Sequence, residues 1–251
     1  MAKITRRLLT ITFGKRDGIF SVVEVGSSVI YLNPNGIRRL SDLTYIRELF
    51  AKEDEVLQSI PNGLAERGML QISIPPEVGR TLYLLAKISG ATRILELGTL
   101  GGYSTICLAR ALPSTGKCFT IELNADHARF AKENISRANL DEQVTVIVDD
   151  ASEQLEKLAQ SGERFDFFFI DADKPNFDHY LEKAISLAAP NAVIAMDTLL
   201  YFGDSVLDET NDHPILAKLR QVNQTLAQDP RLESMLLPIG DGLGIAKVKS
   251  V

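Results

Sequence analysis

The residues of this chain best suited to chemistry stand in two short runs, Asp171-Ala172-Asp173-Lys174 and Asp197-Thr198. Each comes after an apolar stretch of strand length, Phe167–Ile170 in one case and Val193–Met196 in the other. Such strands deliver the residues at their ends to the carboxyl edge of an open α/β sheet, where these sheets place their ligands. Two carboxylates brought there from neighbouring strands repel each other unless a proton or a cation lies between them. Oxygen-only ligands favour Mg²⁺ or Ca²⁺ over zinc. The same residues also permit a plain Asp–Lys ion pair without metal, and spacing alone does not choose between the two.

A second constellation lies upstream. Glu96-Leu97-Gly98-Thr99-Leu100-Gly101-Gly102-Tyr103-Ser104 joins the strand Arg93–Leu97 to a helix. Glycine lets backbone come close to a ligand, and a helix start offers N–H groups to a carboxylate. Leu100 occupies the second glycine position of GxGxxG, which argues against a dinucleotide, and no GxxxxGK[ST] run offers a phosphate loop. Glu96 would repel a pyrophosphate but suits a ligand bearing an ammonium or sulfonium. Glu122 ends the next strand at about the customary twenty-residue spacing, where an acid accepts ribose hydroxyls. Its ordinary alternative is a solvated strand cap. Asp150-Ala151, after the third strand, would stand beside a purine ring, with Ala151 leaving room for it.

These residues need a frame that alternates strand and helix. Strands are expected at Arg93–Leu97, Lys117–Glu122, Val144–Val148, Phe167–Asp171 and Ala192–Asp197. Helices are expected near Tyr103–Ala111, Ala125–Asn139, Ser152–Gln160, Asn176–Ala188 and Pro214–Ala227, the pattern of βα units and a parallel sheet. Ser234–Pro238 and Leu243–Val248 flank Gly240-Asp241-Gly242 and read as a closing hairpin. Upstream, Leu43–Arg67 has helical spacing and Pro75-Pro76-Glu77 opens a helix through Ile88. Residues 1–40 differ: Ser21–Val25 and Ser28–Leu32 are β-rich and punctuated by Gly14, Gly18, Gly26 and Gly36, which fits a hairpin appendage, a dimer arm or a leader.

Composition narrows the classes. The 251-residue chain carries a net charge of −6, which does not favour a nucleic-acid backbone as partner. Its two cysteines, Cys107 and Cys118, are not in a CxxC arrangement and read as small buried residues. No apolar run approaches a membrane span. The early basic residues Lys3, Arg6 and Arg7 lack the apolar region and cleavage site of a secretory signal, so the cytoplasm is the expected location, with a transit peptide as the weaker alternative.

From about Tyr45 to Val248 the chain resembles the cation-dependent O-methyltransferases, the group containing the caffeoyl-CoA and catechol enzymes. The likeness is carried by ELGTLGGYS (Glu96–Ser104), FDFFFIDADKPNF (Phe165–Phe177), AMDT ending at Thr198, and LPIGDGLGIAKV (Leu237–Val248). It implies a Rossmann-like class I methyltransferase fold over residues 41–251: a seven-stranded, mostly parallel sheet with an antiparallel last strand and helices on both faces. It implies S-adenosylmethionine (SAM) as cofactor, with Glu96, Gly98 and Ser104 at the methionine part, Glu122 at the ribose, and Asp150 and Ala151 near the adenine. Asp171 and Asp197 match the metal-ligating aspartates, Asp171 also bordering the cofactor, and Lys174 matches the general base on the hydroxyl of a small catechol-type or phenolic acceptor. A homodimer is implied too, with residues 1–67 at the interface.

The chain departs from the family in two places. Thr198 stands where the third metal ligand is usually asparagine; its hydroxyl can ligate Mg²⁺ but is carried on a shorter side chain. That departure leaves a metal-independent methyltransferase acting on another nucleophile as the alternative. Asp149 precedes Asp150-Ala151 where glycine is usual. In relatives the segment after the fifth strand helps to form the acceptor site; here Tyr201 and Phe202 are candidates to stack on an aromatic ring or to pack in the core. His213, before Pro214, reads as a helix cap, and Asn223 reads as helix packing.

Overall fold

Near-continuous apolar runs become strands covered on both faces, and that requirement organises most of this molecule. The computed structural model describes residues 8–10, 21–25, 28–32, 40–201, 205–208 and 210–249. Compactness divides the chain after Leu49. In the first unit β1 (Leu8–Thr10), β2 (Ser21–Val25) and β3 (Ser28–Leu32) form an antiparallel sheet in that order, and α1 (Leu40–Leu49) comes next. The glycines read there as punctuation lie outside the described residues.

The second unit opens with α2 (Glu55–Glu66) and α3 (Pro76–Ser89). Asp54 caps α2 by accepting from the Leu57 amide at 3.1 Å, and Gly90 ends α3 in the left-handed conformation. Strand and helix then alternate through β4 (Arg93–Leu97), α4 (Tyr103–Ala109), β5 (Lys117–Glu122), α5 (Ala125–Arg137) and β6 (Val144–Val148). The alternation continues through α6 (Ala151–Ser161), β7 (Phe165–Ile170), α7 (Phe177–Leu187), β8 (Ala188–Met196) and α8 (Pro214–Gln228). The hairpin strands β9 (Leu232–Leu237) and β10 (Leu243–Val248) close the chain.

The seven strands lie in the order β6-β5-β4-β7-β8-β10-β9. β10 runs antiparallel to both of its neighbours, inserted between β8 and the edge strand β9. The expected seven-stranded sheet is therefore present, with its antiparallel last strand one place in from the edge. Alternate residues of each strand feed two cores. Ile94, Phe167, Phe169 and Ala195 pack with α2–α5, while Leu95, Phe168, Ile194 and Met196 pack with α6–α8.

Several element boundaries differ from expectation, those at the starts of β7 and β8 among them. β7 begins at Phe165, and its register with β8 shifts between Phe165 and Phe167. That irregularity turns Phe165 into the same core as Phe168, against strict alternation. β8 begins at Ala188, the last residue expected of the preceding helix and four before the expected strand start at Ala192, and Asn191 takes a φ of 65° within it.

One contact fixes how β4 meets β7. Gly98 has a φ of 95°, and a Cβ there would lie 2.2 Å from the Asp171 carbonyl oxygen. Gly162 is also left-handed, at 76°, but faces open space. Gly162→Ala is expected to cost roughly 1–2 kcal/mol, the ordinary left-handed penalty. Gly98→Ala should cost more than about 4 kcal/mol, because backbone has to move. Thermal unfolding of the two variants checks this; equal melting temperatures would contradict it.

Candidate active site

The strand order reverses between β4 and β7, which opens a crevice beyond their carboxyl ends. The ladder hydrogen bonds run one residue past the strands. The amide of Gly98 donates to Ile121 O at 3.0 Å, that of Asp171 to Leu97 O at 2.9 Å, and that of Asp197 to Ile170 O at 3.1 Å. The parallel pairing thus sets the glycine turn and both aspartates along one edge.

Glu122 has a role that its spacing does not reveal. Its Oε2 accepts from the amides of Leu100 (2.8 Å) and Thr99 (3.2 Å), and its Oε1 accepts from the amide of Asn124 at 2.9 Å. The carboxylate therefore holds the turn after β4 to the end of β5. That clamp accounts for Leu100, a non-glycine residue with a φ of 47°. Thr99 and Thr120 hydroxyls join the same two elements at 2.6 Å.

Glu96 is fully buried beneath α4, where Thr105 donates to its Oε2. Its Oε1 has no hydrogen-bond partner. Burial pushes its pKa up to about 7, against the hydroxyls of Ser104, Thr105 and Thr120, and nearby Asp171 adds to the rise. An ammonium fits this acid: one buried oxygen is unpartnered, and a cation beside it favours the ionised form. Thr105, one residue beyond Ser104, is not singled out by sequence because helical spacing gives no sign that its hydroxyl meets Glu96.

On the far side of β5, Asp150 caps α6 by accepting from the Glu153 amide at 3.1 Å, and Ala151 is the first residue of that helix. Asp149 turns to Lys157, at 2.5 Å, and that pair keeps its carboxyl below the usual range.

At the end of β7, Lys174 Nζ lies 2.9 Å from Asp171 Oδ1 and 4.6 Å from the centre of the Phe177 ring. Asp173 accepts from Tyr180 Oη at 2.5 Å and from Asn176 Nδ2 at 2.7 Å, so it is engaged by α7 and the turn before it. Asp197 is only 5% exposed, and its Oδ1 has no partner. Burial, then the charge of Asp171, pushes its pKa up to about 7; Asp241 in the β9–β10 turn adds to the rise, against the Thr198 amide and Lys174.

The unpartnered, buried Oδ1 of Asp197 beside the Asp171 carboxylate is a donor set whose strain a cation would relieve. Among the described residues, no group of three or more His, Cys, Asp or Glu side chains is placed to hold a metal ion. The oxygen donors that the sequence points to at this edge are Asp171, Asp197 and the neighbouring Thr198. Thr198 has a φ of 65°, a strained setting for a β-branched residue and one that asparagine tolerates.

The segment after β8 is pinned from two sides. Leu199 and Leu200 amides donate to Gly242 O (3.0 Å) and Asp241 O (2.8 Å), and Asn223 Nδ2 donates to Leu199 O at 2.9 Å. Asn223 thus does more than pack its helix. Tyr201 packs with the α6–α8 core, while Phe202 lies outside the described residues. His213 caps α8, its Nδ1 accepting from the Ile215 amide at 3.3 Å. Cys107 and Cys118 are free and buried. No helix among the described residues is long and apolar enough to cross a membrane.

The burial of Glu96 has a pH signature. Between about pH 4.5 and 7 the unfolded state has lost the Glu96 proton while the folded state keeps it, so stability falls as pH rises through this window. The full change is about 3 kcal/mol. Glu96→Gln should therefore gain on the cofactor-free parent protein as pH rises from 4.5 to 8. Denaturant titrations at both pH values measure this, and a stability difference independent of pH would contradict it.

Comparison with known proteins gives a consistent picture. A family model described as O-methyltransferase matches residues 47–249. A catechol O-methyltransferase of Niastella koreensis is 41% identical over 211 residues, covering 82% of this chain and 95% of the relative. The O-methyltransferase from Bacillus cereus, solved in complex with SAH, superposes with a TM-score of 0.78 at 36% identity, covering 83% of this chain and 97% of that one. An O-methyltransferase of tomaymycin synthesis from Streptomyces achromogenes, solved with SAM, gives 0.77 at 32% identity, with coverage of 84% and 96%.

Proposed function

Because this chain belongs to the O-methyltransferase family, we propose that it moves a methyl group from SAM to a hydroxyl of a small catechol-type or phenolic acceptor, with a divalent cation assisting. The observation that carries this reading is the buried, unpartnered Oδ1 of Asp197 beside Asp171, on the same sheet edge as the Gly98 turn. The complexes of the Bacillus and Streptomyces relatives with SAH and SAM support the cofactor.

When bound, SAM supplies the electrophilic methyl and the cation lowers the pKa of the acceptor hydroxyl. The protein's own task is alignment and proton handling. Gly98 leaves room at the switch point, Glu96 Oε1 offers an open acceptor to an ammonium, and Ser104 flanks it on α4. Glu122 shapes the turn through the Thr99 and Leu100 amides and borders the ribose position; Asp150 and Ala151 flank the adenine position. Asp171, Asp197 and Thr198 would hold the cation. Lys174, held at the end of β7 by Asp171, is the residue that would take the hydroxyl proton at Nζ.

Lys174→Ala should lower kcat at least about a hundredfold with catechol as acceptor, the usual scale for a general base. A kcat within a few-fold of the parent would remove the base role. EDTA should abolish turnover and Mg²⁺ restore it. Undiminished activity in EDTA would instead favour the metal-independent reading, to which Thr198 and the Lys174–Asp171 pair as it stands both lend support. Thr198→Asn should raise both the melting temperature and the affinity for Mg²⁺, since it relieves left-handed strain of about 1 kcal/mol and adds an amide oxygen. Calorimetric Mg²⁺ titration with thermal unfolding reads both effects; no change in either would contradict the assignment.

A further inference from the structure

The segment between β8 and α8 leaves the sheet beside Asp197 and Thr198, and its described part holds one short 3₁₀ turn, Ser205–Leu207. Carbonyls in such a segment need partners from elsewhere. Three of them converge on one side chain. Arg220 of α8 donates from Nε to Val206 O at 3.0 Å, and from Nη2 to Asp208 O at 2.5 Å and to Asn211 O at 3.1 Å. One turn later on the same helix, Asn223 holds Leu199 O. The Val206 amide closes the loop onto Leu200 O at 3.2 Å.

A guanidinium is suited to this work. It stays charged at every working pH, presents a rigid planar fork, and makes charge-assisted bonds to several oxygens at once. A lysine ammonium also has three donors, but they radiate from one nitrogen and cannot reproduce one bond from Nε and two from Nη2. The grip is tied back through the Val206 amide to Leu200, two residues after Thr198.

We propose that Arg220 is a positioning residue for the methyl acceptor: by gathering the Val206, Asp208 and Asn211 carbonyls it fixes that stretch of backbone, itself joined to Leu200 through the Val206 amide, as one wall of the acceptor site. The inference rests on the methyltransferase reading above. Arg220 touches neither acceptor nor cofactor and acts only through that backbone.

The test uses the full chain with SAM, Mg²⁺ and catechol, comparing the parent with Arg220→Ala and Arg220→Lys. Arg220→Ala should raise the KM for catechol at least about tenfold while kcat stays within about threefold and calorimetric SAM affinity within about twofold. Amide exchange of residues 205–211 should accelerate. Arg220→Lys should recover only part of the loss, and added methylguanidine at millimolar concentration should lower the KM of Arg220→Ala. An unchanged KM alongside faster exchange would overturn the inference and leave the function reading intact. So would a parallel loss of kcat and SAM affinity, which marks general loosening. Absence of any methyl transfer by the parent protein would instead sink the function reading, and this inference with it.

Discussion

The mutual repulsion of Asp171 and Asp197 is the constraint on which the rest of the site depends. Parallel ladder bonds carry both residues to the same level of the sheet edge, and burial denies Asp197 the water that would screen it. As the protein stands, the pair is relieved by Lys174 on one carboxylate and by a raised proton affinity on the other. A divalent cation would relieve both at once. The close approach of Gly98 to the Asp171 backbone keeps this arrangement in contact with the turn after β4. The two halves of the site are therefore mechanically one.

Much of that is legible in residue order. Strands β4, β5 and β6 span the residues expected of them, because the apolar residues that dominate each are taken up by a sheet covered on both faces. β7 and β8 are less legible. The break in register near Phe165 and the left-handed Asn191 are responses to pairing between strands, which no local pattern encodes. Asp171, Lys174 and Asp197 stand out because charge directly after an apolar strand is conspicuous.

The parts hidden from the sequence are those that depend on contact between distant segments. By spacing, Glu122 reads as a ligand for ribose hydroxyls, yet much of its hydrogen-bonding capacity goes to the Thr99, Leu100 and Asn124 amides. Thr105 under Glu96, and Tyr180 on Asp173, likewise have no signature in spacing. Thr198 is the opposite case. Its identity is conspicuous in the sequence, and the structure adds a backbone reason: the position is left-handed, so threonine there carries strain as well as a shorter reach.

The most direct measurement of the central claim is anomalous diffraction from a crystal grown with Mn²⁺ and SAM. One anomalous peak within ligand distance of both the Asp171 and Asp197 carboxylates is expected, with Lys174 drawn away from Asp171. No peak at that edge, with Lys174 still paired to Asp171 beside bound SAM, would contradict it.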